Sequence, residues 1–193
     1  MFAWLIFLVW YCNNNAQAFS TAPRIHLTNE HVFKAEEPQQ IHLAQGKEDF
    51  SMTVTWSTMG QDMSSMVKYQ PSHLNNLHDA ILVNGSTTNF TDGGEAHHWQ
   101  LIHRVTLNNL SPNTEYIYQV GTTDMLSETF SFKTFPNGTD WSPRFILYGD
   151  FGLVNDQSMN FLKNEIQNKK TDIILHVGDL AYDLDNVNIR TFF

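Results

Sequence analysis

Between residues 38 and 134, short apolar runs are separated by Gly, Asn and Pro turns at almost regular spacing. They occupy 41–45, 52–56, 66–70, 80–84, 99–107, 115–120 and 129–134. None of them shows sustained helical spacing. Met52-Thr53-Val54-Thr55-Trp56 alternates apolar and polar residues, the two-residue period of a strand with one buried face. Seven such runs in about a hundred residues predict a β-sandwich. Leu110-Ser111-Pro112-Asn113-Thr114-Glu115-Tyr116, followed by Tyr118 and Val120, adds a sharper signal. A leucine and a turn proline ahead of a tyrosine-led strand are what a tyrosine corner needs. Its ring packs inward and its hydroxyl returns to the turn backbone.

Past Asn137-Gly138-Thr139 and Pro143 the pattern changes. Phe145-Ile146-Leu147-Tyr148 and Ile173-Ile174-Leu175-His176-Val177 are continuous apolar runs, as expected of strands buried on both faces. Between them Met159, Leu162 and Ile166 recur at helical spacing, with Asn155 or Asp156 available as the cap. Strand, helix and strand in about thirty residues predict one βαβ unit. The first strand leads into Gly149-Asp150-Phe151-Gly152, the second into Gly178-Asp179-Leu180-Ala181-Tyr182-Asp183. In parallel neighbours, about 4.8 Å apart, both Gly-Asp pairs reach the carboxyl edge of the sheet, where open α/β sheets bind ligands. Two ionised carboxylates that close repel unless a cation separates them, and carboxylate oxygens suit hard metals. Tyr182 stands in the same loop. A phenol with its ordinary pKa near 10 coordinates only a strongly acidic metal such as Fe(III); otherwise it is a loop aromatic on the sheet edge. His97, His98 and His103 read as surface or cross-strand residues, and His176 as a satisfied core histidine.

Charge and processing signals narrow the setting. The chain has 11 basic and 20 acidic side chains, a formal charge of −9. An acidic chain without a basic run is a poor partner for nucleic acid or an anionic membrane. Phe2 to Tyr11 is apolar but too short to span a bilayer. Ala16-Gln17-Ala18 follows it with the small-residue spacing of a signal-peptidase site, so residues 1–18 are expected to be a signal peptide outside the fold. No Lys or Arg precedes the run, and a buried N-terminal strand is the competing reading. Cleavage after Ala18 removes Cys12, the only cysteine, and with it any disulfide. Four sequons, at Asn84, Asn89, Asn109 and Asn137, sit beside turn-like residues and point to a secreted glycoprotein.

The motifs together resemble the purple acid phosphatases, within the metallophosphoesterase superfamily. Asp150-Phe151-Gly152 matches that family's Asp-X-Gly motif, and Gly178-Asp179-Leu180-Ala181-Tyr182 its Gly-Asp-X-X-Tyr motif, approached by His176-Val177. Pro38-Gln39-Gln40-Ile41-His42-Leu43, Met52-Thr53-Val54-Thr55-Trp56, Tyr116-Ile117-Tyr118-Gln119-Val120-Gly121 and Phe130-Ser131-Phe132-Lys133-Thr134 resemble its fibronectin type III-like N-terminal domain. After the leader at 1–18, the resemblance implies a fibronectin type III-like domain at 19–138 and the start of a metallophosphoesterase domain at 143–193. It implies a dinuclear centre in which Asp150 binds Fe(III), Asp179 bridges to a second metal (Fe, Zn or Mn) and Tyr182 is the coloured phenolate. It implies hydrolysis of phosphate monoesters at acid pH, and it allows a homodimer. The later histidine motifs of the family do not occur in these 193 residues. The expectation is therefore a truncated form, inactive alone, with no catalytic residue of its own.

Two non-catalytic readings stand beside this one: a secreted β-sandwich binding module, or a pseudoenzyme remnant holding a structural cation such as Ca²⁺. Other classes fail on motifs. Asp150-Phe151-Gly152 lacks the glycine-rich loop and His-Arg-Asp segment of a kinase, and there is no Gly-X-Ser-X-Gly elbow.

Overall fold

The computed structural model describes residues 34–62, 64–74, 77, 79–95, 97–151 and 157–179, and the backbone of Ile6–Leu8 (β1). Eight strands between residues 39 and 133 form two four-stranded antiparallel sheets. One contains Gln39–Gln45 (β2), Met52–Thr58 (β3), Ser86–Thr91 (β6) and Trp99–Leu107 (β7), in the order β2-β3-β7-β6. The other contains Met66–Pro71 (β4), Ile81–Asn84 (β5), Glu115–Gly121 (β8) and Phe130–Lys133 (β9), in the order β5-β4-β8-β9. The alternating side chains of both sheets meet in one core. Leu43, Val54, Trp56, Val105 and Leu107 come from the first sheet; Val67, Tyr69, Tyr118, Val120 and Phe132 come from the second. All are nearly or fully buried. Each such aliphatic or aromatic side chain contributes roughly 1.5–3 kcal/mol of transfer free energy.

Seven of these strands coincide with the runs read from the sequence. The eighth, β6, does not: Ser-Thr-Thr-Asn-Phe-Thr has no alternating apolar face, and five of its six residues are exposed. It holds its place by pairing along β7, from Ser86 opposite Arg104 to Thr91 opposite Trp99. The tyrosine corner forms. Tyr116 is buried, and the Ser111 backbone N–H donates to its hydroxyl at 2.9 Å. Thr134 closes the same loop: its hydroxyl donates to the Ser111 carbonyl at 2.6 Å and accepts from the Thr114 N–H at 2.9 Å.

After residue 141, Phe145–Tyr148 (β10) pairs in parallel with Ile173–His176 (β11), and Met159–Gln167 (α1) lies between them in sequence. The strand starts are clamped by Arg144, whose guanidinium reaches both oxygens of Asp172 at 2.9–3.0 Å and whose backbone N–H donates to the same carboxylate at 2.8 Å. That pairing holds the Asp172 carboxyl below its usual range.

Three features depart from the sequence reading. The strands are not buried on both faces: Phe145 and Leu147 are 53% and 66% exposed, because only one face of β10 is covered among the described residues. The N-cap of the helix is Ser158, which makes no side-chain capping bond; Asn155 and Asp156 lie outside the described residues. The run read as a leader also supplies β1, which pairs antiparallel with β11, Phe7 opposite Leu175. The backbone of β1 pairs with a strand that would otherwise be a sheet edge among the described residues.

Candidate metal centre

Both Gly-Asp pairs lie at the carboxyl ends of β10 and β11, and the backbone locks them together. The Val177 N–H donates to the Tyr148 carbonyl at 2.7 Å, carrying the parallel ladder one step beyond the strands. Asp150 then turns into the left-handed region, φ +52°, and its Oδ1 accepts the Asp179 backbone N–H at 3.0 Å. The Phe151 N–H returns to the Asp179 carbonyl, also at 3.0 Å. Each aspartate thus anchors the loop of the other.

The glycines are required by close approach. A Cβ on Gly149 would strike the Val177 carbonyl oxygen. One on Gly178, at φ +109°, would strike Oδ1 of Asp150. Beneath the loops Tyr148 meets both Phe151 and His176 edge-on, with ring centroids 5.7 and 4.7 Å away. His176 is buried, and its Nε2 lies 2.9 Å from the Asp179 carbonyl, so that nitrogen carries the proton. Nδ1 is buried without a hydrogen-bond partner among the described residues, so the expected satisfied histidine is satisfied on one side only. Its position supports Asp179 rather than adding a ligand.

Asp150 and Asp179 are both exposed, and their hard oxygens are the donor chemistry that an acidic metal takes. Tyr182 lies outside the described residues, as does Gly152. Among the described residues no group of three His, Cys, Asp or Glu side chains converges on one point. The residues present fit part of a hard-metal site: two aspartates on one edge, with the Asp150 carboxylate held by the Asp179 backbone N–H.

The other sequence candidates separate cleanly. His97 and His98 are exposed and precede β7. His103 is not a surface residue. It is fully buried, stacked on its cross-strand partner Trp56 at 5.0 Å, with Thr58 and Ser65 hydroxyls each 2.9 Å from a ring nitrogen. Burial pushes its imidazole below the usual range. A histidine opposite a tryptophan on an inward-facing register position was the available signal. The four sequon asparagines, Asn84, Asn89, Asn109 and Asn137, are all exposed.

Comparison with known proteins gives a consistent set of likenesses. The family model described as "Purple acid Phosphatase, N-terminal domain" matches residues 38–134. Acid phosphatase type 7 of Homo sapiens is 39% identical over 154 residues, covering 79% of this chain and 34% of the human protein. The Fe(3+)-Zn(2+) purple acid phosphatase 12 of Arabidopsis thaliana is 27% identical over 148 residues, covering 75% of this chain and 30% of its own length. Among solved structures, purple acid phosphatase PPD1 from yellow lupin (Lupinus luteus) seeds superposes with a TM-score of 0.58 at 28% identity, over 76% of this chain and 30% of that one. The chain spans about a third of the length of the curated relatives it matches.

Proposed function

The chain belongs to the purple acid phosphatase family, and we propose that it supplies the accessory sandwich and the first two metal-binding strand ends of an acid phosphatase acting on phosphate monoesters. The observation that carries this reading is the bond between the Asp179 N–H and Asp150 Oδ1, which ties the two strand-end aspartates together at one sheet edge. In this reading Asp150 would hold Fe(III), Asp179 would be shared with a second metal (Fe, Zn or Mn), and Tyr182 would join as a phenolate. The name of the Arabidopsis relative supports an iron and zinc pair. When bound, the metals supply an activated water and neutralise charge at phosphorus. The protein's own part is orientation. The left-handed turn at Asp150 fixes its carboxylate, His176 steadies the Asp179 backbone, and Gly149 and Gly178 keep both loops closely packed. These 193 residues carry none of the family's later histidine motifs, so turnover is not expected from them alone.

Export belongs to the same proposal: a leader cleaved after Ala18, glycans on exposed sequons and a secreted product. Cleavage would remove β1 and leave β11 with a free edge. N-terminal sequencing of secreted protein checks this, with residue 19 as the expected start.

Metal analysis tests the centre. The purified chain loaded with iron should bind it and absorb visible light. Asp150→Asn and Asp179→Asn should each lower the bound iron, and Tyr182→Phe should remove the band. Iron content unchanged in both aspartate variants would refute the site. The self-contained core of the sandwich favours a second reading, a secreted binding module, which predicts no metal uptake at all.

A further inference from the structure

We propose that Asn89 carries an N-linked glycan whose first N-acetylglucosamine seats in a cavity at one end of the sandwich, against Trp99. This rests on the export reading and goes beyond it by giving one glycan a structural place. The inward-facing positions of β7 are Leu107, Val105, His103, Leu101 and Trp99. The first four are at most 3% exposed; Trp99, the last, is 43% exposed. The apolar stripe therefore ends on an uncovered indole. Across the ladder Asn89 pairs with Leu101 and Thr91 pairs with Trp99. Directly opposite residues share a sheet face. Both recognition residues of the sequon therefore stand on the face of Leu101 and Trp99, the face that is buried elsewhere in the sandwich.

A shallow cavity of about 440 Å³, open to solvent over much of its extent, lies there, lined by Gln61, Asn89, Thr91, His97, Trp99 and Leu101 among others. Its chemistry is that of a saccharide seat. The indole offers a flat apolar surface to the C–H face of a pyranose, while Gln61, Thr91 and His97 offer hydrogen bonds to hydroxyl and acetamido groups at its edge. The attachment atom is already in the wall, so the sugar is delivered by its own covalent bond and loses little further freedom on docking. Asn84 is the contrast: it is exposed at the end of β5 and does not line this cavity.

The test uses the full chain secreted from a glycosylating eukaryotic host. Wild type, Asn89→Gln, Trp99→Leu, the double variant and Asn84→Gln are compared. Peptide mass should show Asn89 occupied. Asn89→Gln should lower Tm by about 3 °C, whereas Asn84→Gln should not. Trimming the glycans to one sugar should leave Tm unchanged. The effects of Asn89→Gln and Trp99→Leu should be non-additive. A direct readout comes from NMR: the acetamido methyl on Asn89 should be shifted upfield by the indole and lose that shift in Trp99→Leu. An unmodified Asn89, an unshifted methyl or additive Tm losses would each overturn the proposal. If Asn84 is modified and Asn89 is not, the seat alone fails. If no sequon is modified, the export reading fails with it.

Discussion

His103 is the buried base of the sandwich, and its surroundings fix how the fold answers to acid. Desolvation lowers its pKa, while the carboxylates of Asp62 and Glu36 and a hydrogen bond at Ser64 act the other way without overcoming it. In the unfolded chain it regains a pKa near 6.5. Below that value the unfolded state binds the extra proton first, so stability falls as pH drops from about 6.5 toward the depressed folded value. Above it the contribution is complete and flat. Urea unfolding at pH 7.5, 6.5 and 5.5 should show this slope in wild type and a shallower one in His103→Gln; equal slopes would assign the effect to other groups. Tyr116 gives a second residue-scale prediction. Tyr116→Phe keeps the ring among Tyr69 and Phe132 but leaves the Ser111 N–H without its acceptor. The expected cost is about 1–2 kcal/mol, read from the urea midpoint, and a loss below a few tenths would show that water replaces the hydroxyl. Tyr116 was legible in the sequence because its turn is local. His103 was legible only as a surface or cross-strand residue, because its burial depends on hydroxyls from Thr58, Ser65 and Thr87, up to 45 residues away.

Elements were legible where one face is apolar and local. Strands β3, β7 and β8 announce themselves by alternation, whereas β6 is an edge strand whose place is set by β7 rather than by its own residues. The Gly-Asp loops lie between these cases. Their motifs were readable, but the reason for the glycines was not, since it lies in the other loop. This makes a contrast testable. Gly178→Ala combines a positive φ of +109° with a collision against Asp150 Oδ1, and should cost about 2 kcal/mol or more. Gly138→Ala also has a positive φ, +78°, but meets nothing within 4 Å, and should cost about 1 kcal/mol. Amide exchange at Phe151 and Asp179 should quicken in Gly178→Ala and stay unchanged in Gly138→Ala. Equal costs would mean that backbone strain alone explains both.

At the scale of the whole molecule, stability is unevenly distributed along the chain. Every member of the main core cluster lies between Leu43 and Phe132. The β10–β11 layer is held by a parallel ladder and the Arg144–Asp172 clamp, and it leaves Phe145, Leu147 and Val177 more than half exposed. Apolar side chains exposed side by side on a sheet invite further packing partners. The sandwich needs none. A fragment of residues 34–141 should therefore unfold cooperatively, with a urea midpoint within experimental error of the sandwich transition in the 193-residue chain. In the longer chain, amides of Ile146 and Ile174 should exchange well before those of Val54 and Val105, because opening the smaller layer exposes little that was buried. Simultaneous exchange of all four, or a broad melt for the fragment, would show instead that the two layers fold as one unit. The accessory domain would then draw its stability from the sheet that carries the aspartates.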